Sequence, residues 1–350
     1  MDVKQALVVG SSGLLGLNFL QRLSALPGWS AIGLSRRRPA HQLATRQVSL
    51  DLLDVEACAR ELPRLRDVTH VFYLARAVES NYTIKVQPNV DMLKNLVDAL
   101  EGAGGRLQHI QLMHGLKWYG SHLGPFKSPA EESDPRPRVR NFYYEQADYI
   151  ADRQRGTDWT WSALRPHFIC GVAVGSPSNI MSAVGTYATI LRELGLPLRF
   201  PGSEPTFSAN FTYTDVNLLT RAMVWAATDA RAANDAFNIV NGDSFRWRDV
   251  WPDIAAHYGM DAGTAQGISL VEFMRDKEPV WQAAVRRHGL QPNRFADVAD
   301  WAFADSVFGA TWDQTASAAK AHRHGFAVVQ DTRTMLTGIL GEYRRQRILP

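Results

Sequence analysis

Ala6-Leu7-Val8-Val9-Gly10-Ser11-Ser12-Gly13-Leu14-Leu15-Gly16 decides how this chain folds. Four apolar residues run into Gly10, glycines recur at Gly13 and Gly16, and an apolar stripe follows at Leu14, Leu17 and Leu20. That pattern reads as a buried strand, a tight turn and the start of a helix. A helix N-terminus at the end of a strand gathers backbone N–H groups and the positive end of a dipole, which suits a pyrophosphate. Gly10 is expected to make the turn, Gly13 to let a phosphate approach the backbone, and Gly16 to let the helix pack on the sheet. Ser12, Leu14 and Leu15 share the same turn. The spacing is G-x-x-G-x-x-G rather than G-x-G-x-x-G, and by itself it leaves an ordinary strand–helix loop open.

Working outward, the helix closes near Leu26 at Pro27-Gly28, and a second strand is expected over Ser30 to Leu34. Ser35-Arg36-Arg37-Arg38-Pro39 follows. In a dinucleotide fold this is where the adenine ribose lies, and an acidic residue there selects NAD. Here there is no acid. Arg36 and Arg37 offer planar forks that suit a 2′-phosphate, so NADPH/NADP is the expected cofactor; a solvated basic turn is the alternative for any one arginine. A third strand, Val48 to Leu50, ends at Asp51 and Leu52, where Asp51 would sit beside adenine or cap a helix. A fourth, Val68 to Ala75, puts Ala75 at the cofactor edge, because ligands bind beyond the carboxyl ends of parallel strands. A helix over Asn89 to Leu100 and a fifth strand over His109 to Gly115, with Met113 near its end, complete a βαβαβ alternation. Such alternation predicts a right-handed, doubly wound parallel sheet.

The chain has 350 residues, 45% of them hydrophobic, which is enough for a large core. Its net charge of +3 is too mild to argue for nucleic acid or an anionic membrane. Cys58 and Cys170 make no disulfide framework. Met1-Asp2-Val3-Lys4-Gln5 enters the first strand without a signal-peptide pattern, and no apolar run reaches the ~20 residues that span a bilayer. A cytoplasmic protein with a small-molecule substrate is expected, with a homodimer allowed.

Beyond the fifth strand the text changes. Gly115-Leu116-Lys117-Trp118-Tyr119-Gly120 leads through a proline-rich loop to Asn141-Phe142-Tyr143-Tyr144-Glu145-Gln146-Ala147-Asp148, the start of a helix. Many short-chain reductases carry a tyrosine with a lysine four places later. Here those places hold Ala147 and Asp148. A tyrosine, with a free pKa of about 10, needs a nearby cation to work near neutrality. Lys117 is the lysine that topology places well.

These residues carry a resemblance. The chain resembles the progesterone 5β-reductase/iridoid synthase family of atypical short-chain reductases in the Gly10–Gly16 turn, Ser35-Arg36-Arg37, Thr69-His70-Val71-Phe72-Tyr73 and Gly115-x-Lys117-x-Tyr119. It continues in Gly124-Pro125-Phe126, Asn141-Phe142-Tyr143-Tyr144, Trp161-Ser162-x-x-Arg165-Pro166, Ala236-Phe237-Asn238-x-x-Asn241-Gly242-Asp243, Lys277-Glu278-Pro279-Val280-Trp281 and a closing Ile348-Leu349-Pro350. The lysine with the Asn-Phe-Tyr-Tyr run is the specific part. The resemblance implies an α/β fold, a doubly wound parallel Rossmann sheet of the short-chain dehydrogenase type with a smaller, mainly helical C-terminal substrate lobe. It also implies NADPH-dependent 1,4-reduction of an α,β-unsaturated carbonyl. Tyr143 would hydrogen-bond the oxygen on which enolate charge builds. Lys117 would lower that tyrosine's pKa or hold the nicotinamide ribose, while Tyr144 packs. Pro166, Ile169, Ser178, Asn179 and Ile180 would meet the nicotinamide end.

The nucleotide-binding core is expected over residues 1–170, with 205–245 returning to it and Asp215 capping a helix there. The lobe takes residues 171–204 and 246–350, with Trp281, Trp301, Phe303, Phe308 and Trp312 in its core. His322-Arg323-His324 reads as a solvated helix end rather than a metal site. The pocket departs from the family pattern. Ala75-Arg76 stands where plant members have Thr-Trp, Leu336 replaces a pocket phenylalanine, Trp118 replaces a histidine, and Phe126 is kept. Two other functions share most of these features. One is an NADP-dependent epimerase, dehydratase or carbonyl reductase, and the other a non-catalytic NADP-binding regulator.

Overall fold

A computed structural model describes residues 3–36, 45–77, 85–176 and 178–350. The first strand, β1 (Lys4–Val9), is buried on both faces. Ala6 and Val8 point to one side and Leu7 and Val9 to the other, each fully buried. Helix α1 (Leu14–Ser24) follows, then β2 (Trp29–Ser35), β3 (Arg46–Ser49) and α2 (Val55–Glu61). Next come β4 (His70–Tyr73), α3 (Val86–Gly102), β5 (His109–Met113), α4 (Phe142–Gln154) and β6 (Thr160–Pro166). Beyond them are α5 (Ile180–Glu193), α6 (Val216–Thr228) and β7 (Asp235–Ile239). The seven strands form one parallel sheet in the order β7-β6-β5-β4-β1-β2-β3. The order reverses between β1 and β4, so the carboxyl ends of these two strands open the crevice where such sheets bind ligands. The expected doubly wound α/β architecture is therefore the observed one.

Local physics accounts for the differences in detail. On α1 the buried face is Leu14, Leu15, Phe19, Leu20 and Leu23, and Leu17 is half-buried at the crevice. β3 begins at Arg46 and stops before Leu50, and β4 is confined to the four residues that pair with both β1 and β5. The first helix of the lobe, α5, starts at Ile180. Asn179 caps it, its Oδ1 accepting from Met181 N at 3.2 Å. The cap of α2 is Asp54, not Asp51. Asp215 caps α6, taking Asn217 N and Leu218 N at 2.7 and 2.9 Å.

One sheet face packs on α1 and α6 and the other on α3. A third apolar cluster runs from Cys170 to Leu349 and holds α5, helix α7 (Trp247–His257), helix α8 (Glu278–His288) and helix α9 (Thr332–Arg345). Trp247, Trp251 and Trp281 are fully buried in it. Phe308 is buried there too, while Trp301 and Phe303 pack against its edge. Trp312 is half-buried outside the cluster. The expected solvated end at His322-Arg323-His324 is corrected: only Arg323 is exposed, and the His324 ring meets the edge of Phe237 at 5.3 Å. Among the described residues no helix is long and apolar enough to cross a membrane.

Candidate active site

The glycine turn shows which of its glycines the protein itself requires. Gly10 has φ +89°, and a Cβ there would lie 2.9 Å from Ala75 N. A Cβ on Gly16 would lie 2.4 Å from Gly10 O, so the helix can pack only on a bare backbone. Gly13 meets nothing of the protein closer than Gly10 O at 3.6 Å. Its smallness therefore leaves room on the open side, where a ligand would approach. Gly13 is the N-cap of α1 and supplies no side-chain cap, and the first turn carries no acid. Leu14 N instead donates to Ser176 Oγ at 3.1 Å. A hydroxyl oxygen is thus accepted where a phosphate oxygen would be, and the turn fits a pyrophosphate.

The turn opens into a cavity of about 740 Å³. Gly10, Ser12, Gly13, Leu14 and Leu15 line its floor. Ser35, Arg36, Asp51 and Leu52 line the end beyond β2 and β3, with Arg36 Nη1 4.0 Å from Asp51 Oδ2. Arg37 lies outside the described residues. Ala75, Arg76 and Met113 line the wall beyond β4 and β5, and Tyr143, Ile169 and Ser178 line it too, whereas Lys117 is not among the lining residues. The segment after β4 is held by fully buried Asn89, which accepts from Ala77 N at 2.8 Å and donates to Ala77 O at 3.0 Å.

Other expected residues stand off the cavity wall. Pro166 is buried at the end of β6, paired with Ile239. Asn179 is spent on its cap and on Gly171 O, 2.8 Å away, and Ile180 and Leu336 belong to the lobe core. Phe126 is half-buried against the cluster that contains Trp118 and Tyr143. Among the described residues, no group of three or more potential metal ligands comes together.

Lys117 and Tyr143 are 26 positions apart in the chain, and Asn141 joins them. It caps α4, its Oδ1 accepting from Tyr143 N at 3.0 Å and its Nδ2 donating to Lys117 O at 2.9 Å. The Tyr143 hydroxyl lies 3.5 Å from where a Cβ on Gly115 would be, at the carboxyl end of β5. Tyr144 points elsewhere, and its hydroxyl donates to Trp118 O at 2.6 Å. The Lys117 ammonium is half-buried near Arg76. Burial first, and then the Arg76 cation, bring its pKa down to about 8.

Several wall residues were not expected from sequence. His114 follows β5 directly and lines the cavity. Asn293, Arg294 and Asp297 reach it from the lobe, and Arg294 forks onto the Asp297 carboxylate at 2.7 and 2.8 Å. His114 was legible only as the end of a strand. The lobe residues carried no signal, because nothing local ties them to the sheet.

The fold is shared widely. UDP-glucose 4-epimerase of Thermus thermophilus, solved with NAD, superposes with a TM-score of 0.68 at 17% identity, covering 97% of this chain and 99% of that one. UDP-glucose 4-epimerase of Thermotoga maritima, solved with UDP-glucose, gives 0.68 at 15%, with 97% and 99% covered. At that identity the likeness is one of fold. Sequence relatives are nearer. (S)-8-oxocitronellyl enol synthase of Nepeta cataria is 33% identical over 99% of this chain and 93% of its own length. 3-Oxo-Δ4,5-steroid 5β-reductase of Arabidopsis thaliana is 32% identical over the same shares. A family model described as a PRISE-like Rossmann-fold domain matches residues 41–330. A parallel sheet reversing at a glycine turn, a lysine and a tyrosine tied by one asparagine, and these relatives place the chain in the PRISE-like Rossmann-fold family.

Proposed function

We propose that this protein is an NADPH-dependent enone reductase, adding hydrogen across the C=C bond of an α,β-unsaturated carbonyl. One observation carries the reading. A single asparagine cap ties the backbones of Lys117 and Tyr143 together at the carboxyl end of β5, and Tyr143 lines the cavity into which the glycine turn opens. Relatives named as a steroid 5β-reductase and enol synthases support it. Gly10, Gly13 and Arg36 would hold NADPH, which when bound would supply the hydride for the β-carbon. The Tyr143 hydroxyl donates to the carbonyl oxygen, on which negative charge builds as the enolate forms, and such a donor is worth a few kcal/mol. The Lys117 ammonium would make that hydroxyl a stronger donor or would hold the nicotinamide ribose. Protonation of the α-carbon needs no protein group and is assigned to solvent.

NADPH is preferred to NADH on the basis of Arg36 at the end of β2 and the arginine after it, with no acid at that strand's end. Residues 1–170 and 205–245 serve the nucleotide, and 171–204 and 246–350 shape the substrate pocket. The lobe's apolar cluster also takes in Ala209, Phe211, Tyr213 and Phe245, so the returning segment contributes to both parts. Incubation with NADPH and either cyclohexenone or cyclohexanone tests the proposal. Loss of reduced-nicotinamide absorbance is expected with the enone alone. Oxidation driven by the plain ketone, or by neither compound nor any wider enone panel, overturns it.

A further inference from the structure

Four described histidines are buried, and three of them have settled partners. His109 meets Thr160 Oγ1 and Ser162 Oγ at 2.8 and 2.9 Å. His167 meets Thr212 O and Gln314 Oε1 at 2.7 and 3.0 Å, and His70 meets Thr69 Oγ1 at 2.8 Å. His114 differs. It is only 4% exposed, and among the described residues neither of its ring nitrogens has a partner. A buried polar group in that state is costly unless something completes it.

The surroundings fix where the imidazole is. Its ring stacks on Trp118 with centroids 5.5 Å apart and planes 18° from parallel. On its other neighbour it lies 4.7 Å from the Tyr143 ring. Trp118 is held in turn by the Arg165 guanidinium, 3.8 Å from its ring centre, and by the Tyr144 hydroxyl on its carbonyl. The His114 amide donates to Leu164 O at 2.8 Å, which ties the backbone to β6. The ring is thus positioned by packing, its nitrogens uncommitted and covered from water, and the residue lines the cavity that also bears Tyr143.

We propose that His114 is a further catalytic residue, whose imidazole N–H donates a second hydrogen bond, beside that of the Tyr143 hydroxyl, to the carbonyl oxygen of the substrate. This rests on the enone-reductase reading above. Burial, reinforced by the Arg165 and Arg136 cations, holds the ring well below its usual pKa, so it acts as a neutral donor and keeps its proton throughout. No bond to hydrogen is broken at His114. It stabilises charge, and two donors at one oxygen are how such sites lower the barrier to enolate formation.

The test uses the full chain with His114→Phe, which keeps an aromatic ring and removes the donor, and His114→Gln, which restores an N–H. Three quantities are read: kcat for cyclohexenone, NADPH affinity, and the affinity of the NADP-loaded protein for 4-nitrophenol, a charged-oxygen mimic of an enolate. His114→Phe is expected to lower kcat about 10- to 100-fold and to weaken 4-nitrophenol about tenfold. NADPH affinity should stay within about threefold, and His114→Gln should recover part of both losses. Unchanged kcat and phenol affinity overturn the proposal. So does a loss of NADPH affinity in proportion, which would put the ring against the cofactor, and so does equal impairment of the two variants. If the unaltered protein consumes no NADPH with any enone yet its phenol affinity depends on His114, the enone reaction falls and the oxyanion site stands. If neither dependence is seen, both fall.

Discussion

The two ends of β5 carry a histidine each, and they are treated oppositely. At the amino end, His109 has both ring nitrogens bonded to hydroxyls of β6. Just past the carboxyl end, His114 has neither bonded among the described residues, and it lines the cavity. Gln111, between them, is intermediate: its Nε2 donates to Ser162 Oγ and Met223 O at 3.1 Å each, while its Oε1 has no partner among the described residues. The glycine turn, Arg76 and Tyr143 gather at the carboxyl side. In a parallel sheet all strands end together, so one edge collects loops and helix N-termini and becomes the site. The other edge has no ligand to wait for and must satisfy its buried polar groups internally.

The comparison can be broken most directly at Tyr143. Tyr143→Phe should lower kcat for an enone about 100- to 1,000-fold with NADPH affinity within about twofold, measured by steady-state kinetics and cofactor titration. Comparable activity in the variant would remove the chemistry from the carboxyl edge. Within the turn, Gly13→Ala should leave thermal unfolding nearly unchanged but weaken NADPH at least about tenfold, because only the ligand side is crowded. Gly16→Ala should instead destabilise the fold by about 1–3 kcal/mol, since its Cβ meets the backbone of the turn.

At the amino edge, His109→Leu should cost about 2–3 kcal/mol in denaturant unfolding by leaving buried hydroxyls short of partners, with little change in NADPH affinity of the folded protein. Acid should act on the same edge. Burial holds His70 at about 4 and His109 at about 3, and inside the molecule His167 sits at about 4. These groups take up protons more readily when unfolded. Their stabilisation is therefore complete above the unfolded value of ~6.5 and is lost as pH falls from there towards 4. Each contributes a slope of about 1.4 kcal/mol per pH unit, to be read as a falling midpoint in unfolding titrations. A flat stability profile over that window would contradict the assignment of neutral buried rings.

The smallest effect concerns Arg76. Its cation helps to lower the Lys117 pKa to about 8, so the ammonium is lost as pH rises through that value. Arg76→Gln should move the alkaline limb of the enone pH–rate profile upward by a fraction of a unit. A limb that stays put would mean that burial alone sets it.

Much of this is legible in the sequence. The strand ends and the Gly10–Gly16 turn are backbone features, contiguous in the chain, and glycine spacing with apolar runs reports them directly. Asp215 as a cap and Tyr144 as a packing residue follow equally local rules. Asn179 misled for the opposite reason: a capping residue next to a glycine-bearing loop looks the same in sequence as a cofactor contact, and only its bonds to Gly171 and Met181 tell them apart. Leu336 was assigned to a pocket wall, yet it is fully buried on α9, where helix packing rather than family pattern sets its neighbours.

What the chain's order of residues determined by itself is the doubly wound sheet and the glycine turn at its switch point, while the resemblance to a family singled out the lysine and the tyrosine. Local propensity and hydrophobic period act over a few residues and need no partner. Only the folded molecule decided that one asparagine would hold Lys117 to Tyr143, that His114 would be left with uncommitted nitrogens beside them, and that Asn293 and Arg294 would close the far wall. Those are contacts between segments distant in the chain. They exist because burying several apolar faces at once brings the segments together, and no window along the sequence contains that information.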